Sequence, residues 1–255
     1  MENKIALITG ASSGIGRDMA RYLSKKDYDL ILVARSKEKL EELKKELTTN
    51  VETIPLDLEN TDNCKKLYEE VKDKNIDMLI NNAGFGDIGA FRKTDINKEL
   101  DMINLNIKAV HVLTKLFLKD FVKRDSGYIL NVASSAAFQP GPLMATYYST
   151  KVYVYHLTLA IYEELKKMKS HVHISCLCPG PVNTNFNNVA NCEFKVKALS
   201  SSYVAKYSID KMLKNKLIII PGFGMKLSYF FGKIAPMKLK LNIIYNIQHR
   251  KTKSY

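Results

Sequence analysis

Cysteine is scarce, with four in 255 residues, at positions 64, 176, 178 and 192. No CxxC pair occurs, and His171 and His173 fit no ligand pattern with them, so neither a disulfide framework nor a bound metal is expected. Reduced thiols are the simplest reading. Cys176 and Cys178 lie in an apolar run, where their side chains are expected on opposite faces of a strand. No apolar run approaches the ~18 residues of a membrane-spanning helix. Internal repeats, low-complexity tracts and Gly/Ser linkers are missing too, which removes the usual signs of a second folded domain. No signal-peptide pattern precedes the first strand-like run at Lys4, and cutting a leader there would remove that strand, so a cytoplasmic chain is expected.

What is present is ordinary for a globular protein. Apolar residues make up 46% and charged residues 25%, which excludes a disordered chain, a fibrous repeat and a membrane bundle. The charge is uneven. Positions 186–255 carry 13 basic and 2 acidic side chains, +11 of the +13 total. Such a block fits a solvated face or an interaction surface better than a nucleic-acid site.

Short apolar runs at 4–9, 30–34, 51–56, 78–81, 128–133, 171–177 and 217–220 read as strands. Amphipathic stretches at 15–26, 37–47, 62–74, 97–123, 146–168 and 203–215 read as helices between them. This alternation predicts an α/β chain with a seven-stranded parallel sheet, doubly wound, with helices on both faces. Residues 225–247 break it. Leu227, Phe230, Phe231, Ile234, Met237, Leu241, Ile244 and Tyr245 recur at spacings of three and four, with lysines interleaved and Pro236 splitting the run. A C-terminal arm packing on its own domain or a twin subunit is one reading, and docking on an anionic membrane surface the other. The chain thus divides at 1–222, the alternating α/β domain, and 223–255, a basic amphipathic extension.

The first strand runs into Gly10-Ala11-Ser12-Ser13-Gly14-Ile15-Gly16, and a helix follows at once. Gly10 permits a tight turn, Gly14 a close approach of backbone to a pyrophosphate, and Gly16 close packing of helix on strand. The helix N-terminus offers free N–H groups to the phosphates. The second strand ends Val33-Ala34-Arg35-Ser36, without the carboxylate that an NAD-selective site carries there. Arg35 supplies a planar cation for a 2′-phosphate, so NADP(H) is favoured.

Tyr147 and Lys151 lie four apart at the start of a helix, hence on one face. A free phenol titrates near ~10. An ammonium nearby stabilises the phenolate and makes the pair an acid/base for an alcohol or ketone oxygen. Tyr148 lacks a lysine at that spacing, its partner position being Val152.

The ordered set Thr9-Gly10-Ala11-Ser12-Ser13-Gly14-Ile15-Gly16, Asn81-Asn82-Ala83-Gly84 and Tyr147-x-x-x-Lys151 resembles the short-chain dehydrogenase/reductase family, over about residues 4–222. The resemblance implies a single Rossmann-type domain. It implies roles for Asn106 as relay asparagine, Ser134 as active-site serine, Tyr147 as proton exchanger and Lys151 as its partner on the nicotinamide ribose. It also implies cofactor contacts from Ser12, Ser13 and Ile15, from the Asp57-Leu58 pair, from Asn82, Ala83 and Gly84, and from Pro179, Gly180, Val182 and Thr184. A homodimer or homotetramer built on the helices at 97–123 and 146–168 follows from the same likeness. Phe138, Pro142, Leu143, Met144, Phe186 and Val189 are candidates for an apolar substrate wall. The expected activity is reduction of a lipophilic carbonyl, such as a 3-oxoacyl or steroid-like ketone. A non-catalytic NADP(H)-binding sensor or scaffold is the alternative. The tail aromatics fall on the apolar helical face, which disfavours nucleic-acid binding.

Overall fold

A computed structural model describes residues 3–186, 190 and 198–250. Strands β1 (Ile5–Thr9), β2 (Asp29–Ala34), β3 (Val51–Pro55), β4 (Met78–Asn81), β5 (Tyr128–Val132) and β6 (His173–Leu177) alternate with helices. The helices are α1 (Gly14–Ser24), α2 (Lys37–Glu46), α3 (Thr61–Val71), α4 (Ile96–Ile103), α5 (Val110–Lys123) and α6 (Ala145–Lys167). A two-residue pair, β7 (Val182–Asn183) with β8 (Leu199–Ser200), precedes α7 (Ser201–Met212), and β9 (Ile218–Ile219) closes the main sheet. Two helices follow, α8 (Phe223–Ile234) and α9 (Met237–His249).

The main sheet has seven strands in the order β3-β2-β1-β4-β5-β6-β9, and every neighbouring pair is parallel. Alternation along each strand explains the two covering layers. Ala6, Ile8, Leu30, Leu32, Met78 and Ile80 join one buried cluster with Met19, Leu23 and Ile209. Leu7, Ile31, Val33 and Leu79 join a second with Leu67, Leu113 and Phe117. Successive side chains point to opposite faces, so an unbroken apolar run feeds both cores. Each fully buried Leu or Ile contributes about 1.5–3 kcal/mol.

The strand order reverses at β1 and β4. The carboxyl ends of these two neighbours open into one crevice, the place where sheets of this type hold ligands.

Three sequence expectations change. The helix foreseen at 97–123 is α4 and α5 joined by a π-helical stretch, Asn104–Ala109, whose wider turn one helical period does not reveal. Cys176 and Cys178 share a face, with their Sγ atoms 3.7 Å apart, since residues two apart on a strand point the same way. Both thiols are buried and free, as is that of Cys64. In the C-terminal arm, Ile244 and Gln248 are buried, while Leu227, Phe230, Met237 and Tyr245 are exposed, so the periodic stripe only partly faces the domain. No helix among the described residues is long and apolar enough to cross a membrane.

Candidate active site

The crevice is a cavity of about 480 Å³. Its floor begins at β1. The Thr9 hydroxyl accepts the backbone N–H groups of Asn82 at 3.0 Å and Ala83 at 3.1 Å. The Asn82 side chain donates to the Thr9 and Gly10 carbonyls at 3.0 and 3.1 Å. The loop after β4 is thereby clasped to the glycine loop. Gly10 takes φ +65°, and a Cβ there would sit 2.8 Å from Ala83 Cα. Gly16 lies behind the loop rather than on the cleft, where a side chain would strike Asn82 and the Gly10 carbonyl. Gly14 takes φ +55° under the Thr184 methyl. Gly10, Ser12, Ser13, Gly14 and Ile15 line the cavity.

The residues present fit a dinucleotide. Ser13 stands at the N-cap of α1 but makes no side-chain cap bond. The first-turn N–H groups are therefore not spent on a side-chain cap, and no acidic residue occupies that turn to repel an anion. Asp57, Leu58, Asn82, Ala83, Gly84, Pro179, Gly180, Val182 and Thr184 line the cavity with the glycine loop.

Arg35 also lines the cavity, but it is not alone. Its guanidinium donates to Glu59 Oε1 at 2.9 Å. Burial raises the Glu59 carboxyl above its ordinary range, against the pull of Arg35. Ser36 and Lys39, which follow Arg35 in sequence, line the cavity too. The carboxylate missing from the end of β2 thus arrives from beyond β3, through tertiary structure. Sequence reasoning passed over Glu59, Ser36 and Lys39; a basic side chain one turn into α2 was the available signal for Lys39.

Tyr147 and Lys151 both face the cleft from the first turns of α6. Lys151 Nζ lies 5.9 Å from the Tyr147 ring centroid and donates to the Val132 carbonyl at 3.0 Å. Lys151 is 5% exposed, and burial lowers its pKa from 10.5 to about 8. It thus remains a cation at neutral pH. Ser134 closes the same wall, accepting the Ala136 N–H at 3.1 Å as cap of a short helical turn.

Asn106 is fully buried in the π-helical stretch. Its amide donates to the Phe85 carbonyl at 2.9 Å and to Thr150 Oγ1 at 3.1 Å, and accepts the Phe85 N–H at 3.1 Å. It stands behind the cleft and holds the loop after β4 in place. Gly84 is the point of closest approach, where a Cβ would come within 2.8 Å of Asn106 Oδ1 and 3.3 Å of Lys151 Nζ.

Two of the six residues expected in an apolar substrate wall line the cavity. Met144 and Phe186 line the cavity, and the Phe186 ring packs on Tyr147 at 5.4 Å between centroids. Phe138 does not line it. It turns away to pack on Tyr155 at 5.6 Å and on Tyr229 of α8 at 4.4 Å. Leu143 also points elsewhere, into a small void beside Gly89 and Met102, with φ +65°. Pro142 is not among the lining residues, and Val189 falls outside the described residues. Phe85, Tyr148 and Gln248, which are not among the wall candidates, line the cavity. The side chain of Gln248, on α9, donates to the Tyr148 hydroxyl. Burial pushes the Tyr148 phenol up to about 12, which keeps it neutral and unsuited to act as a base.

Asn81, by contrast, braces the sheet. It donates to Thr114 at 3.0 Å and to Asn131 at 2.8 Å, and Asn131 donates to Thr158 at 3.0 Å.

A family model described as short chain dehydrogenase matches residues 4–193. The chain belongs to the short-chain dehydrogenase/reductase family, and it is an oxidoreductase. It is 30% identical over 186 residues to an uncharacterized oxidoreductase of Staphylococcus epidermidis, covering 72% of this chain and 80% of that one. A very-long-chain 3-oxoacyl-CoA reductase of Coccidioides immitis is 34% identical over 178 residues, which span 66% of this chain but 51% of the relative. Among solved structures, a short-chain dehydrogenase from Sphingobium yanoikuyae in complex with NADPH superposes with a TM-score of 0.82 at 26% identity, over 91% of this chain and 93% of that one.

Proposed function

We propose that this chain is an NADP(H)-dependent reductase that interconverts a lipophilic ketone and its secondary alcohol. The observation that carries the reading is the buried Lys151 cation one helical turn from Tyr147, in the cavity that the glycine loop also lines. A buried ammonium favours the phenolate over the phenol, which suits Tyr147 to shuttle a proton near neutral pH. The relative solved with NADPH and the relatives named very-long-chain 3-oxoacyl-CoA reductases support the cofactor and substrate class.

Gly14, the N–H groups of α1 and Thr184 would hold the pyrophosphate, and Asp57 and Leu58 the adenine end. Arg35, with Ser36 and Lys39 beside it, would take the 2′-phosphate, which must compete with Glu59 for the guanidinium. When bound, the nicotinamide supplies or accepts the hydride. Ser134 Oγ donates to the substrate oxygen and orients it towards Tyr147. In reduction, Tyr147 gives its proton to that oxygen; in oxidation it takes the proton back. Asn106 fixes the loop that carries Gly84 against Lys151 and so acts as a positioning residue. Met144, Phe186, Phe85 and the Tyr148 ring exclude water from the reacting carbon. A homodimer or homotetramer through the long helices is part of the same proposal.

Steady-state turnover with NADPH and with NADH tests the reading, using 3-oxoacyl thioesters, steroid-like ketones and small hydroxy acids as substrates. Preference for NADPH and an extended ketone is expected. Full activity in Tyr147→Phe would overturn the mechanism.

A further inference from the structure

The chain carries no acidic side chain after Asp210, while 223–255 alone holds seven basic residues. On that segment the two terminal helices turn apolar side chains outward. Phe223 and Leu227 are 80% and 47% exposed and sit one turn apart on α8. Leu239, Ile243 and Ile247 are 51%, 48% and 46% exposed and form a stripe along α9. Lys226 and Lys238 are exposed beside these stripes, and Arg250 is exposed at the end of α9. The inner side of the same helices touches the cleft. Gln248 lines the cavity, Met225 packs over Gly180, and Tyr229 bonds Tyr155 at 3.2 Å.

We propose that the outer faces of α8 and α9 dock on an anionic lipid surface and set the rim of the cleft against the bilayer. Apolar side chains flanked by lysines, with no acidic side chain on either helix, match the chemistry of helices that lie in a membrane interface. A water-facing helix would carry polar residues where Leu239, Ile243 and Ile247 stand. Delivery of a lipophilic substrate to the cleft rests on the function proposed above; the docking itself does not.

The test is co-sedimentation of the full chain with vesicles of phosphatidylcholine alone and of phosphatidylcholine with phosphatidylserine in equal parts. Binding is expected to the mixed vesicles only, and to fall as salt screens the lysines. Lys226→Gln and Lys238→Gln each lower partitioning about fivefold. The triple variant Leu227→Ser, Leu239→Ser, Ile243→Ser abolishes it, with turnover of a water-soluble ketone retained because none of the three lines the cleft. Equal binding to both vesicles, or to neither, overturns the docking. So does a wild-type oligomer that the triple variant dissolves to monomer, since the stripe is then a contact between copies. Because sedimentation needs no turnover, vesicle binding by a chain inactive on every ketone would sink the function while leaving the docking standing.

Discussion

Replacing Lys151 with methionine separates what the amine does for chemistry from what it costs the fold. Methionine is also unbranched and of similar length, but uncharged. In the native protein Lys151 is 5% exposed, and burial lowers its pKa from 10.5 to about 8. That lowering corresponds to a penalty of about 3 kcal/mol on the protonated form. The substitution removes the penalty but leaves the Val132 carbonyl without its 3.0 Å donor, a loss of about 1 kcal/mol. At neutral pH, Lys151→Met is therefore expected to be about 2 kcal/mol more stable than wild type, or roughly 4–8 °C in Tm for a chain of this size. Turnover falls by about a hundredfold or more, because the phenolate loses its counter-charge. The sign with pH follows from linkage. Below pH 8 the amine is protonated in the folded and unfolded chains alike, and the penalty is present in full. From about 8 to 10.5 the folded chain gives up its proton first, so wild-type stability rises with pH. The variant lacks this rise, so its advantage vanishes and, above about pH 10.5, reverses to about 1 kcal/mol in favour of wild type, the worth of the lost Val132 bond. Equilibrium urea unfolding, followed by far-UV circular dichroism at neutral and alkaline pH, measures both slopes. A variant less stable than wild type at pH 7, or the same slope for both proteins above pH 8, would refute the account.

Other outcomes follow from the same geometry. Tyr147→Phe should lower kcat about 10²–10⁴-fold while NADPH titration shows unchanged binding, since only the proton carrier is lost. Arg35→Ala should raise KM for NADPH about ten- to a hundredfold and leave KM for NADH little changed, read from paired steady-state kinetics. Glu59→Gln removes the carboxylate that competes at 2.9 Å, so the same kinetics should show tighter NADPH binding. Phe138 is only half-buried, so Phe138→Ala should cost less than the ~3–5 kcal/mol of a core phenylalanine in urea unfolding, with kcat and KM intact; a change in KM would return Phe138 to the substrate wall.

The features legible in the sequence are those whose physics is local. A spacing of four on a helix puts Tyr147 and Lys151 on one face whatever surrounds them. The glycine loop requires only a strand before it and a helix after it, and both are present. Alternating apolar strands and amphipathic helices imply a covered parallel sheet because the periods follow from backbone geometry. Side chains on loops obey no such period. Phe138 leaves the cleft because Tyr155 and Tyr229, on two later helices, offer it an aromatic pocket. Leu143 turns away because its backbone adopts φ +65°, which the neighbouring residues do not announce.

By itself the sequence determined the class of sheet, the loop fit for a dinucleotide and the reactive pair on one helical turn. Tertiary structure alone decided that Glu59 meets Arg35, that Asn106 braces Phe85 from behind the cleft, and that Gln248 reaches the cavity from the far end of the chain. Each of these depends on segments distant in sequence being brought together by packing, and packing depends on the whole core.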